Sequence, residues 1–184
     1  MASRQHLKLL PSPTTATLRD GAHITIRALV PEDRELVAEA FAKLSARSRY
    51  MRFLTPLPSL SPRMLDSLMD VDHEHHLALI ALEGGEAVGV VRFVRFTDEP
   101  DVADVAITVI DERQGRGLGR ALLHALLDAA VERGVRALNF DIHPDNRVMA
   151  RLATSLGTPL RYRDGLMSGR LEVAPRVALD DVAA

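Results

Sequence analysis

The chain has 184 residues, 47% hydrophobic and 26% charged, a balance that places it with one-domain globular proteins and away from disordered or fibrous chains. Its 23 basic and 25 acidic residues leave a formal charge of −2, so no dominant basic field recruits nucleic acid or an anionic membrane. Cysteine is absent, which excludes disulfide scaffolds, thiolate metal sites and cysteine nucleophiles together.

Residues 1–20 combine Pro11, Pro13 and a Thr/Ser cluster and read as a flexible arm ahead of a domain at 21–174, with a flexible tail at 175–184. The apolar runs stop well short of the ~20 residues that span a bilayer. The opening residues hold no apolar core of signal-peptide length, so the expected location is the cytoplasm with no membrane partner. From His23, Ile24 and Ile26 alternate with Thr25 and Arg27 as in a half-buried strand. Pro31 then opens a helical pattern through Leu36, Val37, Ala40, Phe41 and Leu44. Ser45 to Leu60, with Pro56 and Pro58, reads as a connection, and Ser61-Pro62 starts a short helix.

Two strands, Leu77 to Leu82 and Ala87 to Val94, flank the turn Glu83-Gly84-Gly85-Glu86 and predict a hairpin. A further β-branched strand, Ala103 to Ile110, leads into Gln114-Gly115-Arg116-Gly117-Leu118-Gly119 and then a helix that Gly134 ends. Next come the strand Ala137 to Ile142 and a helix, capped by Asp145 or Asn146, that stops at Gly157. A last hairpin follows, with arms Pro159 to Arg163 and Leu166 to Val173 joined by Asp164-Gly165. Antiparallel strands, one strand–helix–strand unit and a closing hairpin together predict an α/β fold, with helices on both faces of a mixed sheet of about six or seven strands.

The chemistry is concentrated in the glycine turn. Three glycines in five residues cost backbone entropy, and phosphate binding explains them. Without Cβ atoms the amides of residues 114–120 can converge on an anion at a helix N-terminus, and Arg116 and Arg120 are candidates for further phosphate contacts. A P-loop requires Lys followed by Ser or Thr where Arg120-Ala121 stands, and a dinucleotide fingerprint requires G-x-G-x-x-G early in the chain. Gln-x-x-Gly-x-Gly after a β-branched strand instead resembles the pyrophosphate motif of the GNAT superfamily of acyl-CoA-dependent N-acetyltransferases. The resemblance covers about residues 22–173. The segment Leu44 to Phe53, Asp70-Val71-Asp72 and Asn146-x-x-Met149 look like single-domain bacterial Pat-like protein lysine acetyltransferases.

This resemblance implies a GNAT fold with acetyl-CoA as cosubstrate. Gln114, Gly115, Arg116, Gly117, Leu118, Gly119 and Arg120 are then expected to hold the pyrophosphate, mostly through backbone amides. The backbone of Ile107 and Val109 faces the pantetheine arm and acyl carbonyl, and Asn146 contacts the pantetheine chain. The acceptor is a primary amine, a protein lysine before a small amine, attacked directly in a ternary complex. Final strands in the family often pair across a dimer, so a homodimer is among the expected assemblies.

A lysine amine, with a pKa of ~10.4, needs a base before it can attack. In Pat-like relatives this is a glutamate ten residues before the motif glutamine, which here is Asp104; Glu112 is the second candidate. The tyrosine that many members place seven residues beyond the asparagine is Ala153 here, leaving the general acid unassigned, with Tyr50 and Tyr162 as substitutes. Shortened base and missing tyrosine together suggest a further alternative, a weakly catalytic acyl-CoA sensor. The run His73-Glu74-His75-His76 matches no zinc spacing, so no metal is expected. Arg47, Arg49, Tyr50, Arg52 and Phe53 are expected to line the acceptor side.

Overall fold

The structure, a computed structural model, describes residues 10–173. Its strands are β1 (Thr14–Thr17), β2 (His23–Ala28), β3 (His76–Glu83), β4 (Glu86–Arg95), β5 (Val102–Val109), β6 (Ala137–Ile142), β7 (Arg161–Arg163) and β8 (Leu166–Glu172). They form one sheet in the order β1-β2-β3-β4-β5-β6-β8-β7. Every neighbouring pair is antiparallel except β5 and β6. The helices are α1 (Arg34–Ala42), α2 (Ala46–Phe53), α3 (Pro62–Met69), α4 (Leu118–Glu132) and α5 (Arg147–Ser155). No helix among the described residues is long and apolar enough to cross a membrane.

Eight strands exceed the six or seven expected, and the additional one is β1, inside the segment read as an arm. Thr14 to Thr17 pair with Ile26 to His23, and three β-branched threonines suit an edge strand. Pro11 and Pro13 precede the ladder instead of breaking it. Leu18 follows at 6% exposure, and the Arg19 amide donates to the Arg116 carbonyl at 3.1 Å. The ordered domain thus begins before residue 21. Residues 1–9 of the expected arm, and the expected tail from 175, lie outside the described residues.

The segment read as a connection contains α2. Ser45 caps it, accepting from the Ser48 amide at 3.1 Å, and Leu54 ends it at a φ of 56°. None of its residues is fully buried, so no apolar stripe announces it.

Leu77, Ile80, Phe93 and Leu138, all at 0% exposure, form the middle of the core with Leu122, Leu123 and Leu126 of α4. Burying each such side chain is worth ~1.5–3 kcal/mol. Gly89 lets α4 approach: a Cβ there would lie 2.9 Å from Leu122 Cδ1 and 3.0 Å from the Thr108 carbonyl oxygen. Paired residues share a sheet face, so Gly89, Val109, Val91 and Ile107 face α4. Val90, Thr108, Arg92 and Ala106 face the opposite layer, where α1, α2 and α3 lie.

The β5–β6 ladder has three rungs: Val102 to Ala137, Ala103 to Leu138 and Asp104 to Asn139. Beyond them the two strands separate. That separation positions the site.

Candidate active site

The Ile110 amide donates to the Val88 carbonyl at 3.1 Å. Antiparallel pairing alternates, so the even-numbered residues of β5 direct their backbone groups to β4. Val105, Ile107 and Val109 therefore turn theirs toward β6; Val105 completes the last parallel rung, and beyond it Ile107 and Val109 have no partner strand there. A strand edge that stays open inside a protein is a ready site for an extended, amide-bearing ligand. The separated strands frame a cleft of about 590 Å³, lined by residues 104–109 of β5 and 139–142 of β6, and bordered by α2, the glycine turn and the start of α5.

The glycine turn closes one end. Gly115 and Gly117 have φ of 76° and 96°, the left-handed region that costs other residues roughly 1–2 kcal/mol. Gly117 is the N-cap of α4, and its carbonyl accepts from the amides of Arg120 and Ala121, both at 3.1 Å. The earlier amides of that first turn have no intrahelical acceptor, and with the helix dipole they favour an anion. Gly115 and Gly119 line the cleft directly. Gln114 folds its side chain back, so that Nε2 donates to the Val109 carbonyl at 3.0 Å.

The arginines of the motif behave differently from expectation. Arg116 is turned away from the cleft: Nε donates to Asp20, and Nη2 donates to Glu83 Oε1 at 2.9 Å. Its guanidinium is thus held by two carboxylates and is not among the groups that line the cleft. Arg120 is exposed and contacts Ser155 Oγ at 3.4 Å. Leu118 is a core residue at 1% exposure.

Asn146 caps α5, its Oδ1 accepting from the Met149 amide at 3.1 Å, and it also borders the cleft. Arg47 and Arg52 of α2 line the cleft, whereas Arg49 donates to the Ala42 and Pro58 carbonyls. Tyr50 meets the His143 ring edge-on at 5.3 Å, and Tyr162 is 69% exposed on β7. Neither tyrosine lines the cleft.

Of the two candidate bases, the structure brings one into the cleft. Asp104 stands on the last parallel rung, and although it reaches solvent, its pKa is raised by partial burial and by the nearby charge of Asp141. Asp141 accepts from Ser168 Oγ at 2.6 Å. Glu112 lies on a 3-10 turn with its side chain 79% exposed, outside the cleft lining.

Sequence reasoning missed Asp111. It accepts from the Ser45 amide at 2.9 Å, Ser45 Oγ at 2.7 Å and Ser48 Oγ at 2.9 Å. Burial raises its pKa, but these hydrogen bonds outweigh that and hold the carboxyl below its ordinary range. Asp111 thereby fixes the start of α2 to the turn before the glycines. In the histidine segment, Asp72 accepts from the amides of Glu74, His75 and His76 at 2.9, 2.7 and 2.9 Å. The run is a tight turn held by one carboxylate.

A family model described as the acetyltransferase (GNAT) family matches residues 38–158. Acetyltransferase PA5475 of Pseudomonas aeruginosa is 37% identical over 145 residues, covering 77% of this chain and 77% of that protein. Acetyltransferase Pat of Mycolicibacterium smegmatis is 30% identical over 176 residues, covering 94% of this chain but 53% of that protein. The chain thus spans about half the length of that relative. The GNAT domain of S. lividans PAT superposes with a TM-score of 0.83 at 29% identity, covering 87% of this chain and 96% of that one.

Proposed function

Because the chain belongs to the acetyltransferase (GNAT) family and is an acyltransferase, we propose that it transfers an acetyl group from acetyl-CoA to a protein lysine by direct attack in a ternary complex. The observation that carries this reading is the open flank of the cleft at Asp104. A lysine on another protein needs a groove that its surroundings can approach, whereas a free small amine is better served by an enclosed pocket. Asp104 and Asp141 are both exposed where β5 and β6 part, and their negative charge attracts an ammonium group.

Acetyl-CoA supplies a thioester carbonyl for the amine to attack. The residues present fit such a ligand: orphan amides and left-handed glycines for a pyrophosphate, an open strand edge for the amide-bearing pantetheine, and Asn146 beside it. The N–H groups of Ile107 and Val109, beyond the last rung with β6, would stabilise negative charge on the carbonyl oxygen. Asp104 takes a proton from the incoming ammonium, directly or through one water. Nitrogen then bonds to the acetyl carbon, the carbon–sulfur bond breaks, and the thiolate leaves to be protonated by solvent or by the departing ammonium.

The test is thiol release from acetyl-CoA at about pH 8, where more of a lysine amine is free base, with a pooled set of lysine-bearing proteins and a panel of small amines. Calorimetry of CoA binding runs alongside. Turnover of the protein set is the expected result. Turnover of a small amine alone replaces the acceptor, and CoA binding without any turnover overturns the catalytic reading.

A further inference from the structure

On the sheet face away from α4, a second cavity of about 40 Å³ lies under α1, α2 and α3, several times the space one water requires. Its walls are mostly apolar, with Phe41, Leu60 and Leu68 among them, yet two guanidinium groups, Arg52 and Arg92, also line it. Arg52, Ala106 and Thr108 border both this cavity and the acetyl-transfer cleft, so the two spaces adjoin.

Neither arginine has an acidic partner among the described residues. Arg92 is 6% exposed; its Nη1 donates to the Leu68 carbonyl at 2.9 Å and meets His76 Nε2 at 3.0 Å. His76 therefore accepts at Nε2 and donates from Nδ1 to the Asp70 carbonyl at 2.6 Å, which makes its ring neutral. Burial and the Arg92 charge favour that form by lowering its pKa. The Arg52 guanidinium lies 4.7 Å from the Phe53 ring centroid, and no hydrogen bond or ion pair among the described residues engages it. Burial brings the pKa of both arginines down to about 10, and at Arg92 the Arg52 charge adds to the effect.

Two like charges in an apolar cavity are costly unless an anion joins them. The planar guanidinium fork matches a carboxylate, which two arginines can grip with several charge-assisted hydrogen bonds. The cavity also has a defined relation to the base. Arg92 pairs with Ala106 and Val94 pairs with Asp104, so Arg92 and Asp104 are diagonal neighbours on one face, roughly 7–8 Å apart at the backbone.

We propose that Arg52 and Arg92 form a carboxylate subsite of the acceptor site, selecting acceptors that carry a carboxylate a short chain away from the amine presented to Asp104. This rests on the acetyl-transfer reading for the position of the amine. The carboxylate comes either from a free amino acid or from an acidic residue beside a target lysine, and both present the same group.

The experiment measures acceptor binding by calorimetry on the CoA-loaded protein, with kcat/KM from thiol release in parallel. One arm compares ornithine with putrescine, which lacks the carboxylate. The other compares a lysine peptide bearing a neighbouring glutamate with its alanine counterpart. Hydrogen bonds to charged groups contribute ~1.5–3 kcal/mol, so the carboxylate-bearing member of at least one pair should bind about 10-fold or more tightly. That ratio should collapse toward one in Arg52→Gln, whose side chain holds no hydrogen bond that the fold needs. The arm that shows the preference identifies the source. Equal affinity within both pairs for the wild-type protein, or a preference that persists undiminished in folded Arg52→Gln, overturns the subsite and leaves a hydrated cavity only. Absence of turnover with a preserved binding ratio sinks the acetyl-transfer reading without sinking the subsite.

Discussion

Asp104 faces Asn139 across the last parallel rung of the sheet, and one residue further the strands have parted. The carboxylate therefore sits at the apex of the cleft, beside the strand edge that lacks a partner strand. Asp104→Asn keeps the shape and removes the proposed base. Its kcat/KM for amine acetylation should fall by roughly 10²–10⁴, while the calorimetric Kd for CoA stays within about threefold, since the glycine turn proposed to hold the pyrophosphate is untouched. Asp104→Glu should retain most of the activity. An Asn variant as fast as the wild type removes Asp104 from the mechanism.

The charge of Asp141 contributes, after burial, to raising the Asp104 pKa. The acid limb of the kcat/KM profile should therefore lie above the ordinary aspartate value of ~3.9, and Asp141→Asn should move it to lower pH. The same shift has a stability consequence. An acid whose folded pKa exceeds its unfolded one binds more protons when folded, so stability falls as pH rises from the unfolded value through the folded one. Asp104→Asn removes that penalty and should raise Tm at neutral pH relative to the wild type. A lower Tm would mean that the ionised carboxylate supports the fold instead.

What the sequence made legible was local. The glycines at 115, 117 and 119 announced the turn between a strand and a helix, the β-branched run announced β5, and Asp145-Asn146 announced the start of α5, because each signal lies within a few residues of its effect. The parts that were not legible depend on distant partners. Arg116 looked like a phosphate ligand beside the glycines, but Asp20 and Glu83, 96 and 33 positions away, claim it. Asp111 has no motif of its own and acquires its role from Ser45 and Ser48 across 66 and 63 positions. Helix α2 escaped notice because it buries no residue completely, and β1 because four residues on an edge leave little periodicity.

Gly117 carries the α4 N-cap at a φ of 96°, with open space where a Cβ would go apart from ordinary contact with Arg19 at 3.7 Å. Gly117→Ala therefore meets backbone strain and no clash. It should cost roughly 1–2 kcal/mol of stability, seen as a lower Tm, and weaken CoA binding by displacing the first-turn amides from the phosphate position. Unchanged CoA affinity in the folded variant would show that these amides do not hold the pyrophosphate.

Arg116 should separate stability from binding. Its guanidinium joins Asp20 after β1 to Glu83 at the end of β3, and the hydrogen bonds it donates are the leading cause lowering the pKa of both carboxyls. Carboxylates with depressed folded pKa values add stability that is present above their unfolded pKa and lost as pH falls through the folded one. The wild-type Tm should therefore decline as pH drops below about 4, and Arg116→Ala should have a lower Tm at neutral pH with the gap narrowing in acid. The Kd for CoA should change by less than about threefold, because the turn presents backbone amides and the side chain points elsewhere. A variant with wild-type Tm and a loss of CoA affinity of about 10-fold or more would place the Arg116 guanidinium on the phosphates after all.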